Sequence, residues 1–169
     1  MPCEEVLTNT GRDVLMKKVL LSVMCLLSLP VVAAQFNAVV PIHDKGAQTF
    51  YIKGQLGSLD ATEFMLDTGS GYLVINQKSL AQLKQSGQAG YVKDIKGILA
   101  NGDEFIVPVW KISRMTINDQ CILRDVEAAV FPGQTRQILG LTALKKAAPF
   151  ILSFDPPQIV FSHCNRTES

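Results

Sequence analysis

Histidine, tryptophan and cysteine are scarce in this chain. Of 169 residues, two are histidine, one is tryptophan and four are cysteine, so a metal centre built from His and Cys ligands has little to draw on. His43 and His163 share no ligand spacing with each other or with the cysteines, and both read as surface residues. Charge of one sign is also lacking: 16 basic against 15 acidic residues leave a net charge of +1. That balance excludes the basic footprint of a nucleic-acid binder. No repeat, linker or low-complexity tract divides the chain, and its length suits one domain with a real core. A second lobe has no room.

Apolar runs are short as well. Met16, Lys17 and Lys18 precede an apolar stretch from Val19 to Leu29 that ends in Pro30-Val-Val-Ala-Ala34. Basic residues, an apolar core and small residues at Val32 and Ala34 are the parts of a secretory signal peptide. The segment 19–34 falls short of the about 20 residues that a membrane span requires. Residues 1–34 are therefore expected to be a signal peptide cut after Ala34, with translation starting at Met16 because Glu4, Glu5 and Asp13 do not suit a signal. Residues 35–169 are expected to be the mature domain, in the periplasm or outside the cell and free of the membrane. Cys121 and Cys164 then remain, and an oxidising compartment allows them one disulfide or leaves two unpaired small hydrophobes.

The mature part reads as strands broken by turns. Phe36–Ile42 and Thr49–Leu56 alternate apolar and polar residues, and Gly57-Ser-Leu-Asp60 turns the chain into the strand from Glu63 to Leu66. Tyr72–Ile75 is a further strand. Asn76 caps a short helix running to about Ser86, with Gly87 past its end. Beyond Tyr91, Asn101-Gly102 and Asn118-Asp119 are tight-turn pairs between apolar runs. Cys121–Phe131, Phe150–Phe154 and Gln158–Phe161 are further strands, the last two joined at Asp155-Pro-Pro157. Thr142–Ala147 is a single helical turn, and Trp110 sits in an apolar run that reads as core. The expectation is a compact antiparallel all-β barrel or sandwich with one or two short helices.

One stretch carries chemistry: Phe64-Met-Leu-Asp-Thr-Gly-Ser70. A carboxylate placed directly after a buried strand is costly unless something uses it. As a turn, Asp-Thr-Gly is ordinary, and chance supplies it in roughly a few per cent of chains this long. About 70 residues downstream, Ile138-Leu-Gly140 repeats an apolar pair before glycine and a short helix. Ser70 is not a hydrolase nucleophile, because glycine flanks it immediately on both sides rather than at the Gly-x-Ser-x-Gly spacing.

Asp67-Thr-Gly-Ser70, Ile138-Leu-Gly140 and the Ala100-Asn-Gly102 turn together resemble the retropepsin-like aspartic proteases, specifically the bacterial secreted single-domain members, over roughly residues 45–162. The resemblance implies a single-lobe acid-protease barrel, active as a symmetric homodimer. Only one Asp-Thr-Gly is present, so two copies are needed to bring two Asp67 carboxylates onto one water. Two carboxylates about 3 Å apart share a proton, one acting as base and the other as acid. It further implies that Thr68 ties the two loops across the axis, that Gly69 permits the tight backbone, and that Ser70 bonds the outer carboxylate oxygen. Ala100, Asn101 and Gly102 would form a flap, and Ile138, Leu139 and Gly140 the floor under the catalytic loop. Ser70-Gly71-Tyr72 stands where viral enzymes carry acidic residues, and Leu141-Thr142 where they place an arginine.

The expected function is aspartic endopeptidase activity on peptides or unfolded protein, without metal or cofactor. The alternative is a non-catalytic peptide-binding or assembly module on the same fold.

Overall fold

The computed structural model describes residues 35–98, 102 and 104–164. Its elements follow the order β1 (Ala38–Pro41), β2 (His43–Asp44), β3 (Phe50–Leu56), β4 (Thr62–Leu66), β5 (Leu73–Asn76), α1 (Gln77–Gln85) and β6 (Ala89–Ile98). After these come β7 (Glu104–Ile117), β8 (Cys121–Phe131), β9 (Ile138–Leu139), α2 (Leu141–Leu144), β10 (Phe150–Phe154) and β11 (Pro157–Phe161). The expected signal peptide, residues 1–34, lies outside the described residues.

Local chemistry accounts for most of these boundaries. Along β3 alternate side chains turn inward, so Ile52 and Leu56 are buried while Lys53 is exposed. The β7–β8 turn places Asn118 and Asp119 at positive φ, 46° and 56°, the conformation that a two-residue hairpin demands and that Asn and Asp tolerate. At α1 the Asn76 side chain accepts from the Ser79 amide at 2.9 Å. Gly87, at φ 68°, ends that helix, its N–H donating to the Lys84 carbonyl at 3.1 Å.

Six strands close a barrel in the order β3-β4-β9-β5-β8-β7, because β7 returns to pair with β3 from Gly54↔Ile117 to Leu56↔Met115. Phe64, Leu73, Ile75, Met115, Ile117 and Leu139 are fully buried within it. Closure leaves no free edge in the ring. A separate three-stranded sheet, β1-β11-β10, adds Val40, Ile159 and Phe161 to the same core. The fold is thus all-β with short helices and closes as a barrel, as the family resemblance implies, but it is not antiparallel throughout: β4 pairs with β9, and β5 with β8, in parallel.

Two features depart from the expected short strands. β7 is continuous over 14 residues although it contains Pro108. Its pairing with β8 begins only at Val109, whereas Glu104–Pro108 pair with β6 alone. Proline is tolerated there because one edge of β7 has no ladder to donate to. The result is a two-stranded ribbon reaching beyond the barrel. Trp110 is half-buried rather than central: it packs against the core, meets Tyr91 edge-on at 5.7 Å and carries the Lys84 ammonium 4.9 Å from its ring centre.

Cys121, fully buried at the start of β8, is disulfide-bonded to Cys164 just beyond β11, across a sequence separation of 43. A closed loop of that length restricts the unfolded chain and is worth about 2–4 kcal/mol. Cys164→Ser is expected to lower stability by that amount in denaturant titration. Reducing agent should do the same to the native protein and leave the variant unchanged.

Candidate active site

β4 delivers Asp67. Phe64 anchors the strand in the core, the Met65 amide donates to the Gln137 carbonyl at 3.0 Å, and the Asp67 amide donates to Leu139 at 3.3 Å. β9 therefore runs parallel alongside β4, with Met65↔Ile138 and Leu66↔Leu139 in register. Ile138 and Leu139 thus meet the strand that leads to the carboxylate, and Gly140 comes against the loop that follows it.

The loop is held shut by short bonds. Asp67 Oδ1 accepts from the Gly69 amide at 2.8 Å, and the Asp67 carbonyl accepts from the Ser70 amide at 3.3 Å. From the far side, the Leu141 amide donates to the Ser70 carbonyl at 2.9 Å. A Cβ built on Gly140 would stand 2.7 Å from the Tyr72 carbonyl carbon and 2.8 Å from the Ser70 oxygen. No side chain fits that approach.

Ser70 differs from its expected role. Its hydroxyl donates to the Tyr72 carbonyl at 2.8 Å, not to the Asp67 carboxylate. A hydroxyl has one proton to give, and the tight turn offers it a carbonyl two residues on. Thr142 was not anticipated from sequence at all. Its hydroxyl accepts from the Leu73 amide at 2.8 Å and donates to the Glu127 carbonyl at 2.7 Å, fixing the strand that leaves the loop. A lone threonine 69 residues from its partner carries no pattern that would have marked it.

The Asp67 carboxylate is half-buried and Thr68 is exposed. Among the described residues no cation pairs with Asp67, and its second oxygen accepts no hydrogen bond. Clefts open on both sides of the loop. One, of about 630 Å³, runs from Asp67 and Thr68 past Met65 and Leu66 to Phe50, Leu152 and Phe154. The Phe50 and Phe154 rings lie 5.1 Å apart, yet Phe154 remains 62% exposed. The other, of about 260 Å³, lies between Gly69–Tyr72 and the base of the β6–β7 ribbon at Ile95, Lys96, Gly97 and Val107. The Lys93 ammonium stands 6.0 Å from the Tyr72 ring centre and 3.9 Å from Glu127, linking ribbon to loop.

Of the expected flap, Ala100 and Asn101 fall outside the described residues. Gly102 is exposed at φ 89° with open space around its Cα. Near the larger cleft, Glu63 on β4 pairs with Lys45 and with His43, the latter at 3.3 Å. The Lys45 hydrogen bond, above all, holds the Glu63 carboxyl below its ordinary range. His163 is exposed and bonds the Ala148 carbonyl.

Residues 44–146, more than half of the chain, match the family described as "gag-polyprotein putative aspartyl protease". This chain belongs to that aspartyl protease family. The matched span takes in the Asp67 loop, the ribbon and Ile138-Leu-Gly140. A retropepsin-like aspartic protease from Rickettsia conorii, solved by crystallography, superposes with a TM-score of 0.54 at 16% identity, covering 74% of this chain and 99% of that one. The barrel is thus retropepsin-like. No curated protein sequence matches the chain.

Proposed function

We propose that this aspartyl protease family member is an endopeptidase whose active centre forms when two copies set their Asp67 carboxylates on one water. The observation that carries the reading is the loop itself. The half-buried Asp67 carboxylate lines the larger cleft with one oxygen open and no countercharge among the described residues, while the exposed Thr68 leaves the loop face uncovered. One such group supplies half of an acid–base pair.

In the paired site the ionised carboxylate takes a proton from water as the water oxygen attacks the peptide carbonyl carbon. The protonated carboxyl gives its proton to the carbonyl oxygen, producing a neutral gem-diol. Collapse breaks the C–N bond, the amine nitrogen taking a proton from the first carboxyl while a diol hydroxyl returns one to the second. The protons balance without a covalent intermediate. The β6–β7 ribbon, which reaches past the barrel and walls the smaller cleft, serves as the flap over an extended peptide.

Thr68 would meet its twin at the axis, so the apolar wall of Phe50, Leu152 and Phe154 beside it borders the partner copy. Phe154→Asp is expected to weaken self-association at least about tenfold in sedimentation equilibrium, because a charge replaces a buried aromatic contact. Unchanged association would remove this wall from the interface. A periplasmic or extracellular location fits the amino-terminal segment and the disulfide.

The test is incubation of purified protein with an unfolded polypeptide at mildly acid pH, followed by mass spectrometry. New internal cleavages that a statine-type inhibitor blocks support the proposal. Intact substrate that is nonetheless bound favours a non-catalytic module.

A further inference from the structure

A third cleft, remote from the catalytic loop, gathers positive charge. It has a volume of about 210 Å³ and is lined by Ile122, Leu123, Arg124, Lys146 and His163. The Arg124 guanidinium comes from β8, the Lys146 ammonium from the segment after α2, and the His163 imidazole from the tail beyond β11. The Cys121–Cys164 disulfide is what brings the tail against β8, since each cysteine adjoins a lining residue. Arg124 precedes Ala129, which lines the smaller catalytic cleft, by five residues, or about 17 Å of strand.

Among the described residues, none of Arg124, Lys146 and His163 is in an ion pair, nor is Arg114. Arg114 lies directly opposite Arg124 on β7, and like charges facing each other across an antiparallel pair destabilise the sheet. The bond from His163 Nδ1 to the Ala148 carbonyl fixes the proton on Nδ1, because a carbonyl only accepts. Nε2 is left without a partner among the described residues.

We propose that this cleft binds a phosphate-type oxyanion, carried either by a small soluble phosphate or by a lipid headgroup. A carboxylate is planar and saturated by one guanidinium fork, whereas a guanidinium and an ammonium from separate segments, Arg124 and Lys146, suit a tetrahedral group with oxygens facing several ways. Ile122 and Leu123, 7% and 3% exposed, complete the lining. The site is independent of the proteolytic reading, so either stands if the other fails.

The test compares melting of the purified protein in inorganic phosphate and in sodium chloride of equal ionic strength. Phosphate at tenfold its Kd is expected to raise Tm by about 4 °C. Arg124→Gln and Lys146→Gln should each abolish that rise without changing peptide cleavage. Arg124→Gln should also melt higher than the native protein in low salt, as the facing Arg114 loses its like-charged neighbour. Co-sedimentation with phosphatidylglycerol vesicles but not phosphatidylcholine vesicles, lost in both variants, assigns the phosphate to a headgroup. A phosphate-induced rise without vesicle binding assigns it to a soluble ligand. No rise and no vesicle binding in the native protein, or equal responses in the native protein and both variants, would overturn the proposal.

Discussion

Asp67→Asn is expected to abolish peptide cleavage, by about 10³–10⁴-fold in kcat/KM, while the protein folds as before. The two halves of this expectation come from different atoms. Asparagine keeps an oxygen where Asp67 Oδ1 accepts from the Gly69 amide at 2.8 Å, so the loop retains its turn. It loses the capacity to take a proton from water, and a pair of amides can neither share nor pass one. Melting and circular dichroism should therefore match the native protein while the cleavage assay falls to background. A variant that still cleaves would place the base elsewhere.

Gly140→Ala is expected to fail in the opposite order, losing at least about 3 kcal/mol of stability before any question of activity arises. The added methyl would lie within 2.8 Å of the Ser70 oxygen and closer still to the Tyr72 carbonyl. Both neighbours are backbone, so neither can rotate away. Relief requires parting β9 from the loop, which also disturbs the bonds from Asp67 to Leu139 and from Leu141 to Ser70. Gly71→Ala in the same loop is the control, because a Cβ there meets nothing within 4 Å. Denaturant titration should show a large loss for the first and little change for the second. Equal stability in the two variants would mean that Gly140 is not a point of close approach.

What could be read from the residues was local. Cys121–Phe131 appears as a strand with the same ends in sequence and structure, since apolar and β-branched residues dominate it on either side of Arg124, Asp125 and Glu127 and turn signals bound it at both ends. The helix after Asn76 was marked by its cap and by Gly87. The all-β class followed from the strand pattern, the barrel from the family resemblance, and the Asp67 loop from a carboxylate standing where a buried strand ends.

Contacts set by closure were not legible. That β7 pairs with β3, and β1 with β11, is decided by burial of a shared core rather than by any neighbour in sequence. The Thr142 clamp and the Phe50–Phe154 wall follow from that closure. Ser70 departs from the family's role for the reverse reason: a carbonyl two residues away takes the hydroxyl proton in place of the carboxylate. The Arg114–Arg124 pairing likewise exists only once β7 and β8 are in register.

Specific activity measured against protein concentration, with sedimentation equilibrium on the same samples, tests the shared site most directly. The account predicts that activity per chain rises with the fraction of dimer and vanishes on dilution below the dissociation constant. Full activity per chain in a sample that sediments wholly as monomer would contradict it.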